Sequence, residues 1–273
     1  MHQSPELAHF AETLSEYESI GLDEMESVQL LDRVDTKFLL HQHHLWQALQ
    51  RMHADYRVLE VNGIRLNRYR SLYFDTPDFT MYTRHHSGGQ NRYKVRCRQY
   101  VDSSLAYLEV KFKSSKRRTI KRRRQIDQMM TTLSQDAQTF VSTHCPYDAQ
   151  HLQPTLWNEF VRITLVSKTQ VERLTLDLRL CFRRNRIEAH FADITIAEVK
   201  QPKFSVQSAF VRQMRAYGVR PTGFSKYCMG AARLYPYLKQ NRFKEKFLRM
   251  ARLQKTLDNN PINNPALMLH GHE

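Results

Sequence analysis

"NRYKVRCRQY", residues 91–100, places Arg92, Lys94, Arg96 and Arg98 on every second position and fills the gaps with Tyr93, Val95, Cys97 and Gln99. Residues two apart share a face in a strand, whereas on a helix these four cations would spread around the axis. The spacing therefore predicts a strand with a cationic face and a mostly apolar one. Same-face neighbours lie roughly 7 Å apart. At an effective dielectric of about 20 each adjacent pair repels by about 2 kcal/mol, and in open water by several-fold less. Either the face is solvated and the charges splay apart, or it belongs to a groove built for a polyanion.

The pattern recurs further along the chain. Glu109, Lys111 and Lys113 alternate with Leu108, Val110 and Phe112, and Arg173, Thr175, Asp177 and Arg179 alternate with Leu174, Leu176, Leu178 and Leu180. Glu198 and Lys200 flank Val199. Half-solvated antiparallel sheets alternate in this way, but so does a barrel whose charged faces line a lumen while apolar faces lie under helices. Strands are expected at 34–40, 64–76, 91–100, 106–113, 159–167, 172–184 and 191–201. Helices are expected at 4–20 (with Ser4 as cap), 41–52, 125–141, 205–217 and 225–239. The segment "SSKRRTIKRRRQ", 114–125, reads as a basic loop. The stretch after about 256 is rich in Asn and Pro and reads as a loose tail.

The 273 residues carry 42 Lys and Arg against 27 Asp and Glu, a formal charge of +15. That excess calls for an anionic partner: nucleic acid, a phosphorylated metabolite, polyphosphate or a membrane surface. The four cysteines, Cys97, Cys145, Cys181 and Cys228, are widely spaced without a CxxC pair. Neither a zinc framework nor a disulfide scaffold is expected, and a reducing compartment is. The acidic N-terminus has no apolar run typical of a signal peptide, and no stretch approaches 18 apolar residues, so a cytoplasmic protein is expected. His41, His43 and His44, and His85 and His86, sit at a helix start and in a turn. Asp75 and Thr76 read as turn builders around Pro77.

In order along the chain stand "RVDTKFLL", "RSLYFDTPDFTMY", "NRYKVRCRQY", "YLEVKFK", "VRITL", "ERLTLDLRL", "IAEVK" and "FSKYCMG". This series resembles the VTC (vacuolar transporter chaperone) polyphosphate-polymerase domain, of the triphosphate tunnel superfamily that includes the CYTH phosphatases. The resemblance implies an α+β protein: a closed antiparallel barrel of about eight strands, open as a tunnel, with helices packed outside. It divides the chain into an N-terminal helical segment (1–30), the tunnel domain (31–240) and a basic helix end with a tail (241–273). It implies tunnel cations at Lys37, Arg96, Arg98, Lys111, Arg162, Arg173, Lys200 and Lys226, with Arg92, Lys94, Lys113 and Lys121 beside them on the substrate. Lys116, Arg118 and Arg123 stand as further chain or nucleotide contacts.

Glu198 in "EVK" is expected to hold Mn²⁺ or Mg²⁺, with Glu109 and Asp177 as further acids. The phosphatase branch opens with Glu-x-Glu-x-Lys, whereas this chain has Arg33-Val34-Asp35-Thr36-Lys37; a cation replaces the first acid, which favours the polymerase branch. The reaction implied moves the γ-phosphoryl of ATP onto inorganic polyphosphate. A tunnel hydrolase of tripolyphosphate or nucleoside or RNA 5′-triphosphates, a non-catalytic polyphosphate sensor and a general nucleic-acid binder are the competing readings. A tunnel would exclude a duplex about 20 Å across, so duplex nucleic acid is not expected. No membrane-spanning segment is expected; a membrane partner and the oligomeric state stay open.

Overall fold

Alternating residues become an antiparallel sheet because each strand buries one face and offers the other to charge or solvent. The computed structural model describes residues 5–27, 33–115 and 118–258; Ser4, Lys116 and the 259–273 tail lie outside them. The strands are β1 (Ser19–Ile20), β2 (Val34–His41), β3 (Tyr56–Leu59), β4 (Asn67–Asp75), β5 (Arg92–Tyr100), β6 (Leu105–Lys113), β7 (Thr119–Ile126), β8 (Gln153–Ser167), β9 (Arg173–Arg184), β10 (Ile187–Phe191) and β11 (Ile194–Gln201). The helices are α1 (Pro5–Ser15), α2 (Leu22–Ser27), α3 (Gln42–Met52), α4 (Thr80–His86), α5 (Gln135–His144), α6 (Ala209–Ala216), α7 (Lys226–Leu234) and α8 (Lys244–Asp258). No helix among the described residues is long and apolar enough to cross a membrane.

The main sheet runs β2-β11-β9-β8-β4-β5-β6-β7, with every neighbouring pair antiparallel. β10 extends β9 as a hairpin, and β3 pairs with β8. The expected closed barrel is not formed by hydrogen bonds: among the described residues β2 and β7 end the path without pairing to each other. The outer edge of β2 is taken instead by the segment before α7. Phe38 bridges Pro221, and the Thr222 N–H donates to the Lys37 carbonyl at 2.8 Å. A proline has no N–H to extend a ladder, so strand pairing stops there. The sheet nevertheless curls, because Lys37 of β2, Lys111 of β6 and Thr119 of β7 line one cavity.

On the convex side Leu174 and Leu176 are fully buried with Leu45 and Leu49 of α3 and Phe210 of α6. Val95 and Val110 are buried with Ala137 and Val141 of α5. One helix departs from the expectation that all pack outside. Tyr227 of α7 stacks on Tyr73 at 5.1 Å, and Tyr73 shares the sheet face of its register partner Arg96. Tyr69, Tyr73, Phe160, Leu180 and Phe182 leave part of the concave face apolar, and α7 covers it with Gly230, Ala231 and Ala232 among its buried residues. The Leu174–Leu180 stripe is core, but in two cores. A bulge lies opposite Glu159–Val161, and Arg179 has φ +52°, so Leu178 faces the convex core and Leu180 the concave one.

A Cβ on Gly230 would overlap the Phe182 ring. Gly230→Ala should therefore push α7 off the sheet and cost about 1–3 kcal/mol, as overpacking does. Urea denaturation of the variant checks this; an unchanged midpoint would show that α7 is loosely seated.

Other departures are local. The basic 114–125 segment contains strand β7 rather than only a loop. Helix α5 starts at Gln135, where Ser134 caps it by accepting from the Ala137 N–H. The expected 191–201 strand breaks at Asp193, whose φ is +60°. Asp75 is fully buried and accepts the backbone N–H groups of Thr76, Met81 and Tyr82, so the "DTP" turn starts α4; it also accepts the Tyr227 hydroxyl.

Candidate functional site

The concave face is assembled by register. Across β5 and β6, Lys94 opposes Lys111, Arg96 opposes Glu109 and Arg98 opposes Tyr107. β7 brings Lys121 opposite Lys111 and Arg123 opposite Glu109. Arg162 opposes Asp177 across β8 and β9, and Lys200 opposes Arg173 across β11 and β9. On β2, Lys37 opposes Glu198 and Asp35 opposes Lys200.

Three acids of this face each hold two cations. Glu109, 1% exposed, accepts from Arg96 Nε at 2.7 Å and pairs with Lys121. Asp177 takes a two-pronged contact from Arg162, at 2.6 and 2.8 Å, and another from Lys226. Glu198 lies between Lys37 and Lys200, the latter at 3.0 Å. These acids do not gather into one group: the described residues form no cluster of three His, Cys, Asp or Glu donors on this face. The side chain of Glu198 is 18% exposed, against 1% for Glu109 and 4% for Asp177. With Asp35, 26% exposed and paired with Arg33, as the other accessible carboxylate of the face, Glu198 suits Mg²⁺ or Mn²⁺, which take one or two protein carboxylates and complete their shells with phosphate oxygens and water.

Other cations have no carboxylate partner among the described residues. Lys94 donates to Ser225 Oγ at 2.7 Å. Arg98 donates to Ser71 Oγ at 3.1 Å and lies over the Tyr69 and Phe160 rings at 5.5 and 5.6 Å. Lys111 and Arg173 make no ion pair among the described residues. Two cavities open along the face. One, of about 340 Å³, is lined by Lys37, Arg92, Lys94, Lys111 and Lys113; the other, of about 460 Å³, by Arg98, Lys121, Arg162, Arg173 and Lys200. On β5 and β6 the Arg96–Glu109 pair sits between them, since Lys94 belongs to the first cavity and Arg98 to the second. Asp35 and His85 also line the first cavity; the other histidines singled out in the sequence form no metal cluster among the described residues.

Crowding leaves its mark on proton affinity. Burial, and then Arg162, pushes the Lys200 ammonium down to about 7. Burial and then Lys94 and Arg96 bring Lys111 down to about 7, although its side chain is open to the water of the cavity. Lys37 is held well below the usual lysine range by burial, Lys111 and Lys200. Burial also depresses Lys226, to about 8, with Asp177 opposing the shift. Glu109 goes the other way: the effect of burial is outweighed by Arg96, Arg98 and Lys121, which hold it far below the carboxylate range.

These shifts set a pH dependence. With lysines near 7 in the free protein, a bound polyanion restores their charge, so binding above pH 7 takes up protons and weakens as pH rises. Affinity for long-chain polyphosphate, whose interior phosphates keep their charge throughout, should fall by tenfold or more between pH 6 and 9. Equilibrium binding at fixed ionic strength checks this; a flat profile would show that these lysines stay charged without ligand.

Sequence reasoning missed the partners that fix these cations. Ser225 caps α7 by accepting the Cys228 N–H and also holds Lys94; the Ser-Lys pair at the start of "SKYCMG" is the available signal. Ser71 and Tyr73, which orient Arg98 and Arg96, read as ordinary strand residues.

Comparison with known proteins identifies the class. The chain matches the VTC domain over residues 32–235 and belongs to that family. None of the curated proteins matches this chain in sequence. Among solved structures, HpAC1 from Hippeastrum, a candidate adenylyl cyclase for which a dominant triphosphatase activity is described, is 14% identical. It covers 73% of this chain and 96% of its own, at a TM-score of 0.47. Candidate adenylate cyclases from Bacillus halodurans and Vibrio parahaemolyticus are each 13% identical, at TM-scores of 0.45 and 0.43. They cover 71% and 74% of this chain, and 94% and 100% of their own. At these scores the likenesses carry nothing about the chemistry of this chain.

Proposed function

We propose that the curled sheet acts as a tunnel that takes a triphosphate or polyphosphate chain along its cationic face, and that the protein is a metal-dependent polyphosphate polymerase. The observation that carries the reading is the charge arrangement. The acids Glu109, Asp177 and Glu198 are each already held by two cations, while Lys94, Arg98, Lys111 and Arg173 line the same face without an ion pair among the described residues. A triphosphate, with about four negative charges, would supply the missing partners through charge-assisted bonds worth roughly 1.5–3 kcal/mol each. Membership of the VTC family supports the same substrate class.

Phosphoryl transfer asks the protein for in-line positioning and charge stabilisation rather than covalent participation. Arg98, Arg173 and Lys200 on one side and Lys94 and Lys111 on the other hold successive phosphates. Arg96 and Arg162 are fixed by Glu109 and Asp177 and need little reorganisation as charge moves. The terminal oxygen of polyphosphate attacks the γ-phosphorus of ATP, the bond to the β-phosphate oxygen breaks, and ADP leaves with the electron pair. The acceptor is already an anion, so no general base is needed. Glu198 would hold the divalent ion, whose role when bound is to neutralise phosphate oxygens.

³¹P NMR of the purified protein with ATP and Mn²⁺ tests the assignment. Growth of interior-phosphate signal with release of ADP is expected. Orthophosphate as the sole product would replace the polymerase with a hydrolase, and an unchanged spectrum with retained binding would leave a sensor.

A further inference from the structure

The β9–β10 hairpin carries a second set of donors on the opposite side of the sheet. Cys181 and His190 are direct cross-strand partners, and Glu188, two residues before His190, shares its face. The bulge near Arg179 turns Cys181 to the face of Glu159, its partner across β8 and away from the phosphate-facing cations. Cys181 Sγ lies 4.0 Å from His190 Nε2, and that nitrogen lies 3.2 Å from Glu188 Oε2. One ligand atom from each of the three residues falls within 4.8 Å of the others, and it is the one such group among the described residues.

We propose that Cys181, Glu188 and His190 form a zinc site. Zinc binds sulfur at about 2.3 Å and nitrogen or oxygen at about 2.0–2.2 Å, so tetrahedral ligands stand about 3.4–3.6 Å apart. The observed separations of 3.2 and 4.0 Å bracket that spacing. A thiolate and an imidazole favour Zn²⁺ or Co²⁺ over the oxygen-seeking Mg²⁺ and Mn²⁺ suited to Glu198. Arg183 Nη1 lies 3.8 Å from Glu188 Oε1, leaving Oε2 toward His190. Cys181 is half-buried, whereas Glu188 and His190 are exposed, so an ion has direct access. Three protein donors leave a fourth position, facing a cavity of about 700 Å³ that these residues line with Arg70 and Glu159. Water or a small anion fills that position.

The test is a Co²⁺ titration of the reduced full-length protein in excess Mg²⁺, followed by optical spectroscopy and Zn²⁺ competition. One equivalent of Co²⁺ should produce a thiolate-to-metal charge-transfer band, which Zn²⁺ removes. Cys181→Ser should abolish the band, and His190→Ala should weaken Co²⁺ binding roughly tenfold or more. Glu198→Gln should leave the band intact. Because His190 is exposed, its variant reports on the site even if Cys181→Ser folds poorly. The proposal is overturned if wild type gives no band, if the band persists in Cys181→Ser, or if His190→Ala binds Co²⁺ as tightly as wild type.

Discussion

Glu198→Gln should reduce Mn²⁺-dependent turnover by about a hundredfold or more while leaving metal-free tripolyphosphate binding equal to wild type or tighter. Metal assistance is worth several kcal/mol in the transition state, and each 1.36 kcal/mol is a factor of ten in rate. Glu198 is the most accessible of the three concave-face carboxylates that hold two cations each, and the more exposed Asp35 of the same face is taken by Arg33, so the loss of Glu198 removes the ion's main anchor. Glutamine keeps the shape and an oxygen for Lys37 and Lys200, but removes an anion from a site meant for anions. The opposed effects on turnover and on metal-free affinity separate this role from a merely structural one. Steady-state kinetics over a range of Mn²⁺, paired with calorimetry in chelator, measures both; wild-type turnover at saturating ATP and Mn²⁺ would remove Glu198 from the mechanism.

Arg98→Ala should weaken tripolyphosphate binding ten- to a hundredfold and leave duplex DNA binding almost unchanged. The residue is 6% exposed, lines the second cavity and has no carboxylate partner among the described residues. A desolvated charge-assisted contact is worth roughly 1.5–3 kcal/mol, which sets the magnitude. Arg96 is a less clean choice, because its removal would strip buried Glu109 of one of its two cations and destabilise the fold. A duplex is too wide to follow the concave face and would use outward cations such as Arg122 and Arg124. Titration of both ligands at one salt concentration decides it. Equal losses would place Arg98 on an open basic surface.

The strands that carry the site were legible where one face was charged and the other aliphatic, as in Arg92–Tyr100 and Leu105–Lys113. β7 was hidden because Arg122 and Arg124 put cations on its outer face as well as Lys121 and Arg123 on its inner one, erasing the alternation. The start of α5 is set by the Ser134 cap, not by the helical pattern upstream of it. The ion-pair layer was not legible: Arg96 meets Glu109 only because the turn between β5 and β6 sets that register, and Asp177 meets Lys226 only because α7 crosses the concave face. That β2 pairs with the segment before α7 likewise depends on where Pro221 lands, which no local pattern encodes.

The placement of the phosphate chain is tested most directly by a crystal structure of the protein with tripolyphosphate and Mn²⁺. The phosphates should run along the concave face within hydrogen-bond reach of Arg98, Lys111, Arg173 and Lys200, with the ion at Glu198. Phosphates bound instead on the outer face of β7, at Arg122 and Arg124, would contradict it.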